Sequence, residues 1–232
     1  MKYLALWLSF FCLPAMVKAQ VFDYHKDYDK MLVRTQDKAD TMYYNRLLPR
    51  FLKLDTTLTV KEMLYLMVGY TGQPGFKPYQ DLETEKRVYS LNNEARYDKA
   101  IQAADSFLKL HPLNQSVLIE KAFAYHQLKQ LDSAAFYKGQ FSRIMATMDW
   151  SARGRTPEEA IFAIGPQDGQ NFIDKYYHAD LGRSGSAEDR DGNFCQMLEM
   201  KFRKAGKEQA VVLYFAIQHA VNTTASQRDR KP

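Results

Sequence analysis

Cysteine is nearly absent. The 232-residue chain has two, Cys12 and Cys195. If Cys12 leaves with a leader, Cys195 has no partner for an internal disulfide, and the fold must be held by packing. Long apolar runs are also missing after the first twenty residues, so no later stretch offers the roughly 20 apolar residues that span a bilayer. No excess of one charge is present either. Lys and Arg number 32 against 27 Asp and Glu, interleaved along the chain. Only Arg228-Asp229-Arg230-Lys231 is locally basic, and a solvated terminus explains that better than a nucleic-acid patch.

Catalytic and metal-binding signatures are missing as well. There is no Gly-x-Ser-x-Gly elbow. Gly182-Arg183-Ser184-Gly185 lacks the length and the lysine of a phosphate loop. None of His25, His111, His126, His178 and His219 stands three or four residues from another, so no helix presents a histidine pair to a metal. Asp189-Arg190-Asp191-Gly192-Asn193 hints at a calcium loop. With Gly192 in sixth place, however, the first and last ligand positions fall on Ala187 and Leu198, which carry no carboxylate. Cys195, between Phe194 and Met197, reads as a buried, inert thiol. No metal and no cofactor is expected.

What is present begins at the N-terminus. Met1-Lys2 precedes an apolar run from Tyr3 to Leu13, Pro14 breaks it, and Val17-Lys18-Ala19 sets small residues before Gln20. This predicts a signal peptide over 1–19. Phe11 before Cys12 is too bulky for lipoprotein processing, so no lipid anchor is expected. Loss of Lys2 and Lys18 leaves 30 basic and 27 acidic residues, a net charge of +3.

The predicted fold is mainly α, with tetratricopeptide-like helical hairpins and a small C-terminal α+β part carrying a β-hairpin. The expected divisions are N-terminal helices over 20–80, two repeats over 81–149, an α+β segment over 150–222 and a disordered tail over 223–232. In the first division Met31, Leu32 and Thr35, then Leu47, Leu48 and Phe51, follow the helical period. Thr59-x-x-Glu62 reads as a capping box. Gly69 to Pro78, with its glycines and prolines, reads as irregular.

The repeats rest on a 34-residue spacing. It pairs Leu91 with Tyr125, Tyr97 with Leu131, and Ala100 with Ala134, and 34 is the tetratricopeptide period. Small residues let two helices approach, and a large one fills the adjacent hole. Helices are predicted near 81–92, 97–111, 115–128 and 132–148. Further on, Ser151 to Arg155 reads as a linker, Ala160 to Ile164 as a possible strand, and Asp168 to Tyr177 as a short helix. His178 to Gly192 reads as a loop. Phe194–Phe202 and Gln209–Ile217 read as strands, joined at Lys204-Ala205-Gly206-Lys207.

The leader, Phe22-Asp23-Tyr24-His25-Lys26-Asp27-Tyr28, Asp55-Thr56-Thr57-Leu58-Thr59 and Gly69-Tyr70-Thr71-x-Gln73 resemble one known family. It comprises secreted Bacteroidetes proteins carrying the domain of unknown function 4919. The resemblance covers most of the chain past the leader and brings no activity and no catalytic residue. It implies a Gram-negative periplasmic or surface location. It also implies O-linked sugars at Asp followed by Ser or Thr and a small or apolar residue. Thr56, Thr41 and Ser133 sit in such tripeptides, in that order of preference.

The expected role is a non-enzymatic module that binds a protein or peptide of the envelope, without nucleic acid and without membrane insertion. By resemblance to the repeat, Ser116, Ile119, Phe123, His126 and Gln127 would line a concave face with Glu85, Tyr89 and Asn92. In the alternative, the N-terminal helices or the β-hairpin fill that face. Two other classes stay open. One is an envelope enzyme using His178, Asp180, Asp189 or Asp191. The other is an inhibitor or immunity-type binder of another exported protein.

Overall fold

In the computed structural model, residues 22–228 are described, with side chains to Thr223. The expected leader and the chain past 228 lie outside them. Among the described residues the chain is mainly α, with a small sheet near its C-terminal end.

Three helices come first: α1 (Tyr24–Gln36), α2 (Tyr44–Leu52) and α3 (Val60–Thr71). The capping box opens α3. Glu62 N–H donates to Thr59 Oγ1 at 3.2 Å, and Thr59 N–H donates back to Glu62 Oε2 at 2.7 Å. All of α3 from Met63 to Thr71 is buried, because α1, α2 and α7 (Leu131–Ser151) all pack on it. This corrects the irregular segment expected from Gly69: the helix runs on to Thr71. Gly69 serves close approach instead. A Cβ there would sit 2.9 Å from Thr35 Cβ on α1. Only residues 72–77 are irregular, and Pro78 opens the next helix at its first position, where a missing N–H costs nothing.

Four helices follow: α4 (Pro78–Asn93), α5 (Tyr97–Leu108), α6 (Gln115–Gln127) and α7. Their bounds follow the spacing argument closely. The α4–α5 and α6–α7 turns repeat each other at an offset of 34 residues. Ala95 and Lys129 both take a positive φ, 56° and 62°. Arg96 N–H donates to Leu91 C=O at 2.8 Å, and Gln130 N–H to Tyr125 C=O at 2.9 Å. Ala95 N–H bonds Asn92 C=O and Lys129 N–H bonds His126 C=O, both at 3.0 Å. This is the Schellman cap, which satisfies the last carbonyls of a helix. Here it is built without the usual glycine. Val88, Leu91, Ala100, Ala104, Val117 and Ala124 form the seam between α4, α5 and α6. Lys121 is 2% exposed. Its ammonium lies 3.7 Å from the centre of the Tyr137 ring and pairs with Asp105.

The chain then forms a four-stranded sheet in the order β1-β4-β3-β2. Its strands are β1 (Ile161–Phe162), β2 (Asp180–Glu188), β3 (Phe194–Lys204) and β4 (Lys207–Ala216). Strands β1 and β4 run parallel, and the other neighbours are antiparallel. Ala205 and Gly206 make the β3–β4 turn with φ of 51° and 75°, as two-residue hairpin turns require. One face of the sheet, with Leu198, Leu213 and Phe215, joins the helical core.

Strand β2 corrects the loop expected over 178–192. Its side chains are mostly exposed, so the sequence carries no apolar alternation. Pairing to β3 decides the strand against the poor intrinsic preference of Gly and Ser. The expected disordered tail is also corrected as far as Arg228. Helix α9 (Gln218–Arg228) crosses the expected boundary, anchored by buried His219 and Ala220. One cluster runs from Phe22 to Ala220, so the helices and the sheet share a core.

Candidate functional site

The site is built from α4, α6, α7 and the short segment after β1. That segment is α8 (Asp168–Asn171) followed by a π-helical turn, Phe172–Tyr176. Single π turns are rare and recur at functional sites. Here the turn places Asp174, Lys175 and Tyr176 opposite α6 and α7, across a cavity of about 890 Å³. Such a volume lies in the range of ligand clefts. His178 follows with φ of 52° and lines the same cavity.

The residues expected on the concave face divide into two groups. Tyr89, Ile119, Phe123 and His126 line the cavity. Tyr89 is 51% exposed and Phe123 44%, beside Leu131 at 58%. Large apolar side chains on a cleft wall are the informative case of exposure.

Ser116, Asn92 and Glu85 lie outside this cavity and are hydrogen-bonded within the fold. Asn171 Nδ2 donates to Ser116 Oγ at 2.8 Å, docking α8 on that end of the face. Asn92 Nδ2 donates to the Glu120 carbonyl at 2.9 Å and to its carboxylate at 2.8 Å. Asn114 Nδ2 donates to Glu85 Oε1 at 2.7 Å, and burial raises the Glu85 pKa. Gln127 does not line the cavity. The concave face is therefore narrower at its Ser116 end and wider at its Phe123 end. A smaller cavity of about 280 Å³, lined by Glu85 and Ser116 among others, shares Tyr89, Ile119, Glu120, Asp174 and Lys175 with the larger one.

Sequence reasoning missed Glu120, the α7 wall (Leu131, Ala134, Ala135, Lys138, Phe141) and the π turn. The α7 residues were legible as helix, but the repeat pattern assigns a groove to first helices only. The π turn lies far along the chain, and nothing local signals where it folds back.

The groups held open for catalysis do not meet in this cavity. His178 lines it, but Asp180, Asp189 and Asp191 do not. Asp189 organises the β2–β3 turn, accepting from Asp191 N–H at 2.9 Å and Asn193 N–H at 2.8 Å. Asp191 lies 3.7 Å from His25. No group of three or more metal-ligating side chains forms among the described residues. Burial pushes the Cys195 thiol up to about 12, which keeps it protonated and inert. Thr41 and Thr56 are exposed in connections, while Ser133 is half-buried within α7. No helix of the described residues is long and apolar enough to cross a membrane.

No curated protein and no solved structure matches this chain. The profile of a family described as a domain of unknown function, DUF4919, matches residues 29–226, from within α1 to within α9, and the chain belongs to that family.

Proposed function

We propose that this protein is an exported, non-enzymatic interaction module of the Gram-negative cell envelope. Its binding site is the groove between α6, α7 and the π turn. The observation that carries this reading is the exposure of Tyr89, Phe123 and Leu131 around one cleft. Apolar groups of that size left in water favour a protein partner that covers them.

The scaffold reads as two tetratricopeptide-like hairpins. The 34-residue recurrence of the turn geometry at Ala95 and Lys129 supports it. Export is supported by the leader over 1–19 and by the single cysteine beyond it. A Bacteroidetes source follows from the resemblance of the quoted motifs.

Pull-down of envelope proteins by wild type and by a Tyr89→Ala, Phe123→Ala double variant tests the reading. Both side chains are half exposed, so the variant should fold. Truncating two such contacts should cost about 2–4 kcal/mol of binding, at least a 30-fold loss. Capture that is unchanged in the double variant would show that the groove is not the site.

A further inference from the structure

A second cavity, of about 470 Å³, opens at the other end of α4 and shares no lining residue with the groove. We propose that it binds a small phosphomonoester, whose phosphate sits between Lys77 and Lys109 and against His111. This site goes beyond the groove and does not depend on it.

The floor of the cavity is a fixed polar cluster. Tyr70, at the end of α3, is 3% exposed, and Asp81, in the first turn of α4, is 7% exposed. Asp81 Oδ2 and Tyr70 OH each lie 3.1 Å from His111 Nδ1. The face of the His111 ring stacks on Phe107, with centres 4.3 Å apart. A carboxylate only accepts, so Asp81 keeps a ring proton on Nδ1. Nε2 has no hydrogen-bond partner among the described residues, and the side chain lines the cavity. When Nε2 is protonated it donates to an anion, and Asp81 balances the charge of the ring. A ring held on one face and at one nitrogen is pre-organised for what meets the other nitrogen.

Charge selects the class of ligand. The lining holds three basic side chains, Lys77, Lys109 and His111, against one acid, Asp81. The lysines that pair with acids are Lys26, Lys121 and Lys175. Lys77 and Lys109 are exposed and pair with none. With His111 charged, its pair with Asp81 is neutral and the two lysines are unmatched. With His111 neutral, one positive charge is still in excess. Glu85 and Asp168 share a separate cavity of about 20 Å³ with Asp81. Burial raises the pKa of both, which reduces the negative charge they carry. The helix ends that meet at the pocket are the start of α4 and the end of α5. Their dipoles oppose each other, so the side chains set the sign.

A phosphomonoester carries about −1.5 to −2 at pH 7 and offers three acceptor oxygens. That matches two lysines and one imidazolium, whereas a carboxylate brings a single charge. Size then separates an ester from free phosphate. The cavity lies in the range of small-molecule sites, and Tyr44, Leu48, Pro74, Leu110 and Pro112 complete its wall. Those side chains give the body of an ester apolar surface to cover, which a bare ion does not use.

Isothermal titration calorimetry of the full chain at low salt tests the site with phenyl phosphate, glucose 6-phosphate, inorganic phosphate and benzoate. The expected result is saturable binding of at least one ester, at least tenfold tighter than inorganic phosphate or benzoate. Its affinity should fall at least tenfold in a Lys77→Ala, Lys109→Ala double variant. Both lysines are exposed, so this variant should fold, and circular dichroism checks that it does. Affinity should be unchanged in the Tyr89→Ala, Phe123→Ala variant of the groove. Loss in the groove variant instead would move the ligand to the groove and overturn this site. No saturable binding of either ester, benzoate bound as tightly, or binding that survives loss of both lysines would each overturn the proposal. Binding to vesicles containing phosphatidic acid, with none to either soluble ester, would assign the pocket to a membrane headgroup and overturn the small ligand.

Discussion

Asp168 offers the sharpest test of the packing, because its carboxyl is buried in the seam between α6 and α8. It is 7% exposed. Its Oδ2 accepts from Ile164 N–H at 2.7 Å and Gly165 N–H at 2.8 Å. Burial nonetheless pushes its pKa up to about 7, from an ordinary 3.8, and the Glu85 charge adds to the rise. The folded state thus holds the Asp168 proton more tightly than the unfolded chain. Stability from this group is full below pH 3.8 and is lost as the pH rises to about 7. At about 1.4 kcal/mol per pH unit, the loss is about 4 kcal/mol.

His219 works in the opposite direction. It is buried among Tyr24, Tyr28, Phe76 and Phe162. Its Nε2 lies 3.0 Å from the Ile164 carbonyl, which can only accept, so Nε2 carries the proton and Nδ1 accepts from Tyr24 OH at 3.2 Å. Burial lowers its pKa to about 4 from 6.5. Its contribution is present above pH 6.5 and is lost as the pH falls to about 4, by about 3 kcal/mol. The two windows nearly coincide, so these two contributions largely cancel in the wild-type protein between pH 4 and 7, and the raised pKa of buried Glu85 adds to the Asp168 side.

The perturbation that separates them is Asp168→Asn. Asparagine keeps the oxygen for the Ile164 and Gly165 amides and removes the charge. At pH 8 the variant should be more stable by up to about 4 kcal/mol, and at pH 4 equal to wild type. Its stability should fall steadily from pH 7 to 4, exposing the histidine. Urea unfolding followed by Trp150 fluorescence measures this. The paired surface carboxylates do not confuse the window, since Arg34 holds Asp40 low and Arg50 holds Asp55 low. A difference between variant and wild type that is the same at pH 4 and pH 8 would refute the reasoning.

Three further outcomes are expected. Ala95→Gly and Lys129→Gly should each raise stability by up to about 1 kcal/mol, because glycine adopts their positive φ without strain; thermal melting that drops for both would contradict the turn geometry. Lys121→Ala should cost roughly 2–4 kcal/mol by opening a cavity against Tyr137 and removing the cation from its ring; a loss under about 0.5 kcal/mol would mean the lysine is not buried. The native exported chain should begin at Gln20 and exceed the mass of residues 20–232 by sugar, with Thr56 the first site; a mass equal to the bare chain would remove the modification.

The sequence by itself determined the helices, and the reason is local. The 3.6-residue period places α3 to α7, Thr59 and Glu62 form their cap within four residues, and the 34-residue recurrence returns as the same turn at Ala95 and Lys129. The β3–β4 hairpin was legible for the same reason, since alternation and a two-residue turn are neighbours in the chain. Only the tertiary structure decided β2, which is exposed along most of its length and exists because β3 pairs with it. Gly69 reads as a breaker until Thr35 is seen against it, 34 residues away. The groove divides the same way. Tyr89, Ile119, Phe123 and His126 follow from the repeat pattern, but docking of Asn171 on Ser116 narrows one end of their face. The π turn and α7 then shape the other end. That docking joins residues 55 positions apart through one buried hydrogen bond, and a contact at such separation leaves no period, cap or turn in the sequence to announce it.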